Sequence, residues 1–168
     1  MLKSIYRFLS PKFQNIFLDY KVDMRPRYGH GLPAHKGLYE IINAHRSDYE
    51  LILKEALKYK EQFWIIKDSS IEKDSIKPAW NNGFLPGLDI IAIYAILAKF
   101  KPSKYIEIGS GNSTKVAYKA KKELGLTTKI ISIDPMPRAE IDSLADEVHR
   151  KPFENLDFDI VDLLEEND

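Results

Sequence analysis

The chain has 168 residues, 25 Lys and Arg against 25 Asp and Glu, no Cys, and 44% hydrophobic residues. That length gives one domain a substantial core and is tight for two. The composition excludes disordered, collagen-like and low-complexity chains, and the lack of Cys excludes a disulfide framework and thiolate chemistry.

The longest strongly apolar run, Ile90 to Ala98, is too short to span a bilayer. Arg7, Pro11 and Lys12 interrupt the apolar start where a secretory signal would need continuity. The expectation is a cytoplasmic protein that contacts no membrane. The zero net charge hides an asymmetry. Residues 1–60 carry 11 basic and 6 acidic groups, residues 61–134 carry 11 and 8, and residues 135–168 carry 3 and 11. The basic residues form no run with interleaved aromatics, so they read as a solvated surface and no nucleic-acid partner is expected.

In chain order, Leu2, Ile5, Tyr6, Leu9, Phe13, Ile16, Phe17 and Tyr20 have helix-like spacing broken at Pro11, which predicts two short amphipathic helices. Residues 22–36 are punctuated by Pro26, Gly29, Gly31 and Pro33 and read as irregular. The spacing of Leu38, Ile41, Ile42, Tyr49, Ile52, Leu53, Ala56, Leu57 and Tyr59 predicts a long helix over 38–63 with a packing stripe. Residues 64–79 read as a connection, and Trp80–Asp89 as a turn-rich loop whose Asp89 caps a buried helix through Phe100. Lys101-Pro102 ends that helix.

Strand and helix then alternate. Tyr105–Ile108 reads as a strand and Ser113–Leu124 as a helix closed by Gly125. Lys129–Ile133 is a β-branched strand, Ala139–Glu147 a short helix, and Val148–Phe153 a weak third strand. Leu156, Ile160, Val161, Leu163 and Leu164 share one helical face. The fold predicted is α/β: a Rossmann-like parallel sheet, incomplete at two to three strands, over 80–168, preceded by a helical region over 1–79.

The informative segment is Tyr105–Thr114, Y-I-E-I-G-S-G-N-S-T. A strand runs through Gly109-Ser110-Gly111 into a helix. Glycine permits a sharp turn and lets a ligand approach bare backbone, and the N–H groups opening the helix face that ligand. The next strand ends in Asp134, 23 residues after Gly111. An acid there can accept both hydroxyls of an adenosine ribose. Each residue also has a plainer reading: turn glycines, a salt-bridged strand acid at Glu107, and a strand-end cap at Asp134. A dinucleotide fingerprint wants a third glycine at position 114, where Thr114 stands, and an apolar residue in place of Glu107. A carboxylate beside the turn suits a ligand with positive charge.

At these residues the chain resembles the class I S-adenosylmethionine-dependent methyltransferases. E-I-G-S-G-N-S-T is similar to their first motif, and I-I-S-I-D (Ile130–Asp134) to their second strand with its ribose-binding acid. W-N-N-G-F-L-P-G-L-D-I-I-A-I-Y (Trp80–Tyr94) is similar to the lead-in of a small-molecule or sugar-modifying branch. The resemblance covers Trp80 to the end and departs from the motif at Ser113, where many members have a third glycine. It implies S-adenosylmethionine as cofactor, contacted by Glu107, Gly109, Ser110, Gly111, Asn112, Ser113 and Asp134, and methyl transfer to a small-molecule or sugar acceptor. It also implies a seven-stranded domain, so the chain reads as the N-terminal, cofactor-binding part of a longer protein. The first strand would then present an uncovered edge open to association between copies; the alternative is a compact stand-alone domain whose edge is covered by the N-terminal helices or by a second copy.

No catalytic base is identified. His30 and His35 fall in the turn-rich segment, His45 on the long helix, and His149 stands alone; no spacing makes a metal site. Trp80 and Phe84 read as core or lid packing rather than substrate contacts. Two other functions stay open: an NAD-dependent oxidoreductase, and a non-catalytic interaction module with a Rossmann-like core.

Overall fold

The computed structural model describes residues 2–137, 140–166 and 168. The chain divides into two compact units, 1–44 and 45–168, so residues 45–79 belong with the sheet rather than with the N-terminal segment.

The first unit holds α1 (Leu2–Leu9) and α2 (Lys36–Ala44). Residues 13–20, expected to be a second amphipathic helix, are not helical. Asn15 Nδ2 donates instead to Phe8 O at 3.1 Å, and Phe17 packs edge-on against Phe8. A segment of two turns or so between Pro11 and the next break is too short to repay helix nucleation without a packed face.

The second unit begins with α3 (Arg46–Leu57) and α4 (Lys60–Trp64). The single helix expected over 38–63 is therefore interrupted, at His45 and at Lys58-Tyr59. His45 Nδ1 pairs with Asp48 Oδ2 at 3.1 Å, a local bond that competes with helix continuation. The expected packing stripe is also corrected: Leu38, Ile41, Ile42, Tyr49, Leu53 and Leu57 are exposed, and only Ala56 of that set is buried. Periodicity marks an apolar face but not what covers it.

The core forms around α5 (Gly87–Phe100), whose Ile90, Tyr94, Ala95, Leu97 and Ala98 are buried. Tyr59 and Phe63 pack on Tyr94, with ring centroids 5.4 and 5.3 Å away. The Tyr94 hydroxyl donates to Glu123 Oε2 at 3.0 Å, which satisfies a polar group carried into the core. Asp89 does not cap this helix. Pro86 holds the cap position and Asp89 lies inside the first turn, where its charge still suits the helix dipole. Lys101 turns left-handed (φ 47°) and Pro102 follows, so the helix stops as expected.

β1 (Lys104–Ile108), α6 (Asn112–Leu124), β2 (Lys129–Ile133) and β3 (Glu147–His149) form a three-stranded parallel sheet in the order β1-β2-β3, covered by helices. Central β2 is apolar on both faces, and Ile130, Ile131, Ser132 and Ile133 are buried. Val116, Ala117 and Ala120 of α6 pack against Ile130 and α5, and Gly125 (φ 62°) closes the helix. The ladder fixes the orientation of β1. Ser103 O and Gly109 N bond β2, at 2.8 and 2.9 Å. The alternation of a parallel ladder then turns Lys104, Ile106 and Ile108 to the opposite edge, where no described strand pairs with them. Lys104 N there is met by Asp168 Oδ1 at 2.8 Å.

Two expected helices are absent. Ala139, the expected start of one, lies outside the described residues; from 140 to 146 the chain forms a turn with Ile141 and Leu144 buried, leading straight into β3. Asp146 accepts from Ile130 N (2.7 Å) and Lys121 Nζ, so its position is set by the sheet rather than by a helix. Residues 156–164 hold no α-helix either, and one turn of 3-10 helix runs over Ile160–Leu163. Asp159 accepts from Val161 N at 2.9 Å, a local bond characteristic of a turn. No helix among the described residues is long and apolar enough to cross a membrane.

Candidate functional site

The carboxyl ends of β1 and β2 meet at one rim. Gly109 has φ +80°, a left-handed conformation that favours glycine, and a Cβ built there or on Gly111 would meet open space. The missing side chains thus leave a bare stretch of backbone, with no described atom beyond its chain neighbours within 4 Å of where either Cβ would stand. Gly109 N donates to Ile133 O, extending the ladder to the turn itself.

Asp134 joins the second strand to that turn. Its Oδ2 accepts from Ser110 N at 2.8 Å and from Ser110 Oγ at 3.3 Å, and its Oδ1 accepts from Met136 N at 2.8 Å. Burial pushes this carboxyl up, but the bonds from Ser110 and Met136 and the charge of Arg150 outweigh it and hold the group below its ordinary value. It is a carboxylate at neutral pH. Arg150 Nη1 donates to Asp134 O at 2.9 Å, which fixes the backbone at the rim.

Glu107 lies beneath the turn. It is 8% exposed and accepts from the Ser113 and Thr114 hydroxyls, so it ties β1 to the first turn of α6. Burial raises its carboxyl above the ordinary value; the two hydroxyls oppose this and the nearby Asp134 charge reinforces it. Thr114 is fully buried, and its Oγ1 also accepts from Gly111 N at 3.0 Å. Ser132, opposite Glu107 in the register, is buried with its hydroxyl unpartnered among the described residues.

A cavity of about 190 Å³ opens at the turn, lined by Gly109, Ser110, Gly111, Asn112 and Ser113 on one side and by Phe84 and Leu85 on the other. Five of the seven residues expected to contact a cofactor therefore line one space. Asp134 is hydrogen-bonded to that lining, and Glu107 stands behind it. The volume is below the ~300–1,000 Å³ of most small-molecule sites, and the cavity is open to solvent, so it has room for only part of a drug-sized molecule.

The loop wall comes from Asn82. Its Nδ2 donates to Ala79 O and Leu85 O, at 2.9 and 3.1 Å, and its Oδ1 accepts from Phe84 N, Leu85 N and Asn112 Nδ2, at 3.0, 2.8 and 3.1 Å. One amide thus shapes the loop and docks it on α6. Phe84 is exposed beside the turn, whereas Trp80 packs in the core and over Gly87. Asn82 was not among the residues expected at the site, although N-N-G-F-L-P carries its signal, a turn-forming Asn two residues before an aromatic.

His149 ends β3 beside this rim, where its O accepts from Asp134 N at 3.1 Å. His35 Nδ1 accepts from Leu38 N at the start of α2, and His149 pairs with Glu147 at 2.6 Å. Among the described residues no group of three His, Cys, Asp or Glu side chains is placed to hold a metal. Comparison of the chain with protein-family models, curated proteins and solved structures finds no match.

Proposed function

We propose that the chain binds S-adenosylmethionine at this rim and serves methyl transfer to a small-molecule or sugar acceptor, in a cytoplasmic setting. The observation that carries the reading is the 2.8 Å bond from Ser110 N to Asp134 Oδ2, which places a bare glycine turn and an ionised acid on one lip. An adenosine needs both: backbone without side chains where its sugar and methionine portion pass, and a carboxylate for the ribose hydroxyls. The donor set fits that group. Each Asp134 oxygen carries two lone pairs; Met136 N takes one on Oδ1, and Ser110 N and the longer bond from the Ser110 hydroxyl, which can rotate to yield to a ligand, take those on Oδ2.

The cofactor would supply an activated methyl group. The protein's part is to hold the nucleoside, align the acceptor and exclude water. Gly109 and Gly111 form the floor, Asp134 orients the ribose, and Phe84 offers an apolar flank on the side of the loop. Glu107 and Thr114 keep the turn in register from below. Thr114 also bears on the NAD alternative: its buried side chain fills the place where a dinucleotide fingerprint needs glycine for close helix–strand approach.

Calorimetric titration with S-adenosylmethionine, S-adenosylhomocysteine and NAD tests the proposal. The two sulfur nucleosides are expected to bind, and Asp134→Ala to weaken them by roughly ten- to a hundredfold, the cost of a lost charge-assisted pair of hydrogen bonds. Binding of NAD alone would replace this reading with the oxidoreductase one, and binding of no nucleoside would favour the interaction module. We also propose that the free edge of β1 is where copies associate; sedimentation of an Ile106→Pro variant, which cannot donate along that edge, is expected to lower the oligomeric state.

A further inference from the structure

A second cavity, of about 290 Å³, lies between the connection that follows α4 and the outer face of α6. It shares no lining residue with the glycine turn. Its floor is apolar: Ile65, Ile66, Ile76, Pro78 and the ring of Tyr118. Ile66 and Pro78 are buried, so the floor is anchored in the core, while Ile65 remains exposed at the lip. Its rim is cationic: Lys67, Lys77, Lys115, Lys119 and Lys122, against only Glu72 and Glu123.

The rim charges are not all neutralised by the protein. Lys119 pairs with Glu123, and Lys77 with Asp74 at 3.3 Å. Lys115 and Lys122 make no ion pair among the described residues, and the Lys122 amine stands 5.4 Å from the Tyr118 ring centroid, at the edge of the apolar floor. The Lys115 charge helps to hold the Asp74 carboxyl low and the Lys122 amine lies over the Tyr118 ring, but among the described residues no carboxylate meets either amine at bonding distance. An apolar hollow rimmed by five lysines against two glutamates is complementary to a molecule with a greasy body and one negative end.

We propose that this groove is a binding site for a small amphipathic carboxylate, its alkyl or aryl body against Ile66, Ile76, Pro78 and Tyr118 and its carboxylate at the cationic rim, within reach of Lys115 or Lys122. The site is independent of the nucleoside rim and does not rest on the methyl-transfer reading. The volume suits a chain of modest length or a single ring rather than a folded partner.

The test is a titration of the ¹⁵N-labelled chain, followed by amide chemical shifts, with sodium octanoate, octanamide and sodium acetate. Octanoate is expected to give saturable shifts confined to residues 65–78 and 115–123. Octanamide (body without charge) and acetate (charge without body) are each expected to bind about tenfold more weakly. The double variant Lys115→Gln/Lys122→Gln is expected to bring octanoate down to the affinity of octanamide and leave octanamide unchanged; Lys122 is exposed and Lys115 half-buried, and an unchanged spectrum verifies the fold. Ile76→Asp is expected to abolish octanoate binding while leaving the shifts of 105–114 in place. The proposal is overturned if octanamide binds as tightly as octanoate, if the double variant binds octanoate like the parent, or if the shifts fall elsewhere.

Discussion

Glu107 provides the sharpest test of how the rim is built. It is buried, it accepts two hydroxyls, and burial raises its pKa. Glu107→Ala leaves the O–H of the fully buried Thr114 without its acceptor, at about 1–3 kcal/mol, although the oxygen keeps its bond from Gly111 N, and it leaves a void at a further ~1 kcal/mol. The half-exposed Ser113 hydroxyl can turn to water. Against this, removing a carboxylate from a buried site recovers its desolvation cost. The net loss near neutral pH is about 2–3 kcal/mol, a fall in Tm of roughly 4–12 °C for a chain of this length. Glu107→Gln keeps the shape, accepts one hydroxyl and donates to the other, so it is expected to match or exceed the parent near neutral pH. Because the folded state holds this proton more tightly than the unfolded chain, the parent gains stability as pH falls from the raised value toward the ordinary carboxyl range, and the glutamine variant does not. Urea unfolding at two pH values, one near neutrality and one in the acid range, measures both effects. A Glu107→Ala loss under ~0.5 kcal/mol, or a glutamine variant as damaged as the alanine one, would refute the role assigned to this side chain.

Three further outcomes follow from the same geometry. Gly109→Ala puts a Cβ at φ +80°, where the space is open but the backbone is strained, so a loss of about 1–2 kcal/mol is expected in chemical denaturation. Ser132→Ala removes a buried hydroxyl with no partner among the described residues, so the variant should be about 1 kcal/mol more stable; a comparable loss would reveal a partner. Asn82→Ala removes five hydrogen bonds from the loop, and faster hydrogen exchange at the Phe84 and Leu85 amides, with α5 unaffected, is the expected signature.

The alternation β1–α6–β2 was legible because each boundary carries its own local chemistry. Gly109 takes the positive φ at the strand end, Gly125 the left-handed helix close, and the Lys129–Ile133 run is β-branched and buried on both faces. Asp134 and Ser110 could be placed on one rim because parallel strands put their carboxyl ends together. The misread elements share a cause. Residues 156–164 and 140–146 carry helix-compatible spacing, but Asp159 and Asp146 are committed to backbone N–H groups of a turn and of β2. Spacing reports which residues are apolar; it does not report where an aspartate finds its donor. The interruption at His45 and the exposed leucines before it are equally a matter of partners.

Glu107 and Asp134 show how two acids of one site divide their work. Both stand at strand ends near the same turn, yet burial lifts one above its ordinary pKa, and donors hold the other below it. The proximity of Asp134 itself helps to raise Glu107. A ligand cation arriving over the glycine turn acts on this balance, since added positive charge favours the ionised form of both carboxyls and most affects the one held closer to neutrality. On the function proposed above, binding of a sulfonium nucleoside at the rim would release a proton from Glu107, although that side chain does not line the cavity. The coupling has a sign. In the pH range where free Glu107 is partly protonated, affinity for the cationic nucleoside rises with pH, affinity for the neutral thioether product is flatter, and Glu107→Gln removes the difference between them. Calorimetry in two buffers of different ionisation enthalpy reads the released proton directly, and equal proton release for both nucleosides would show that charge at the turn does not reach the buried acid.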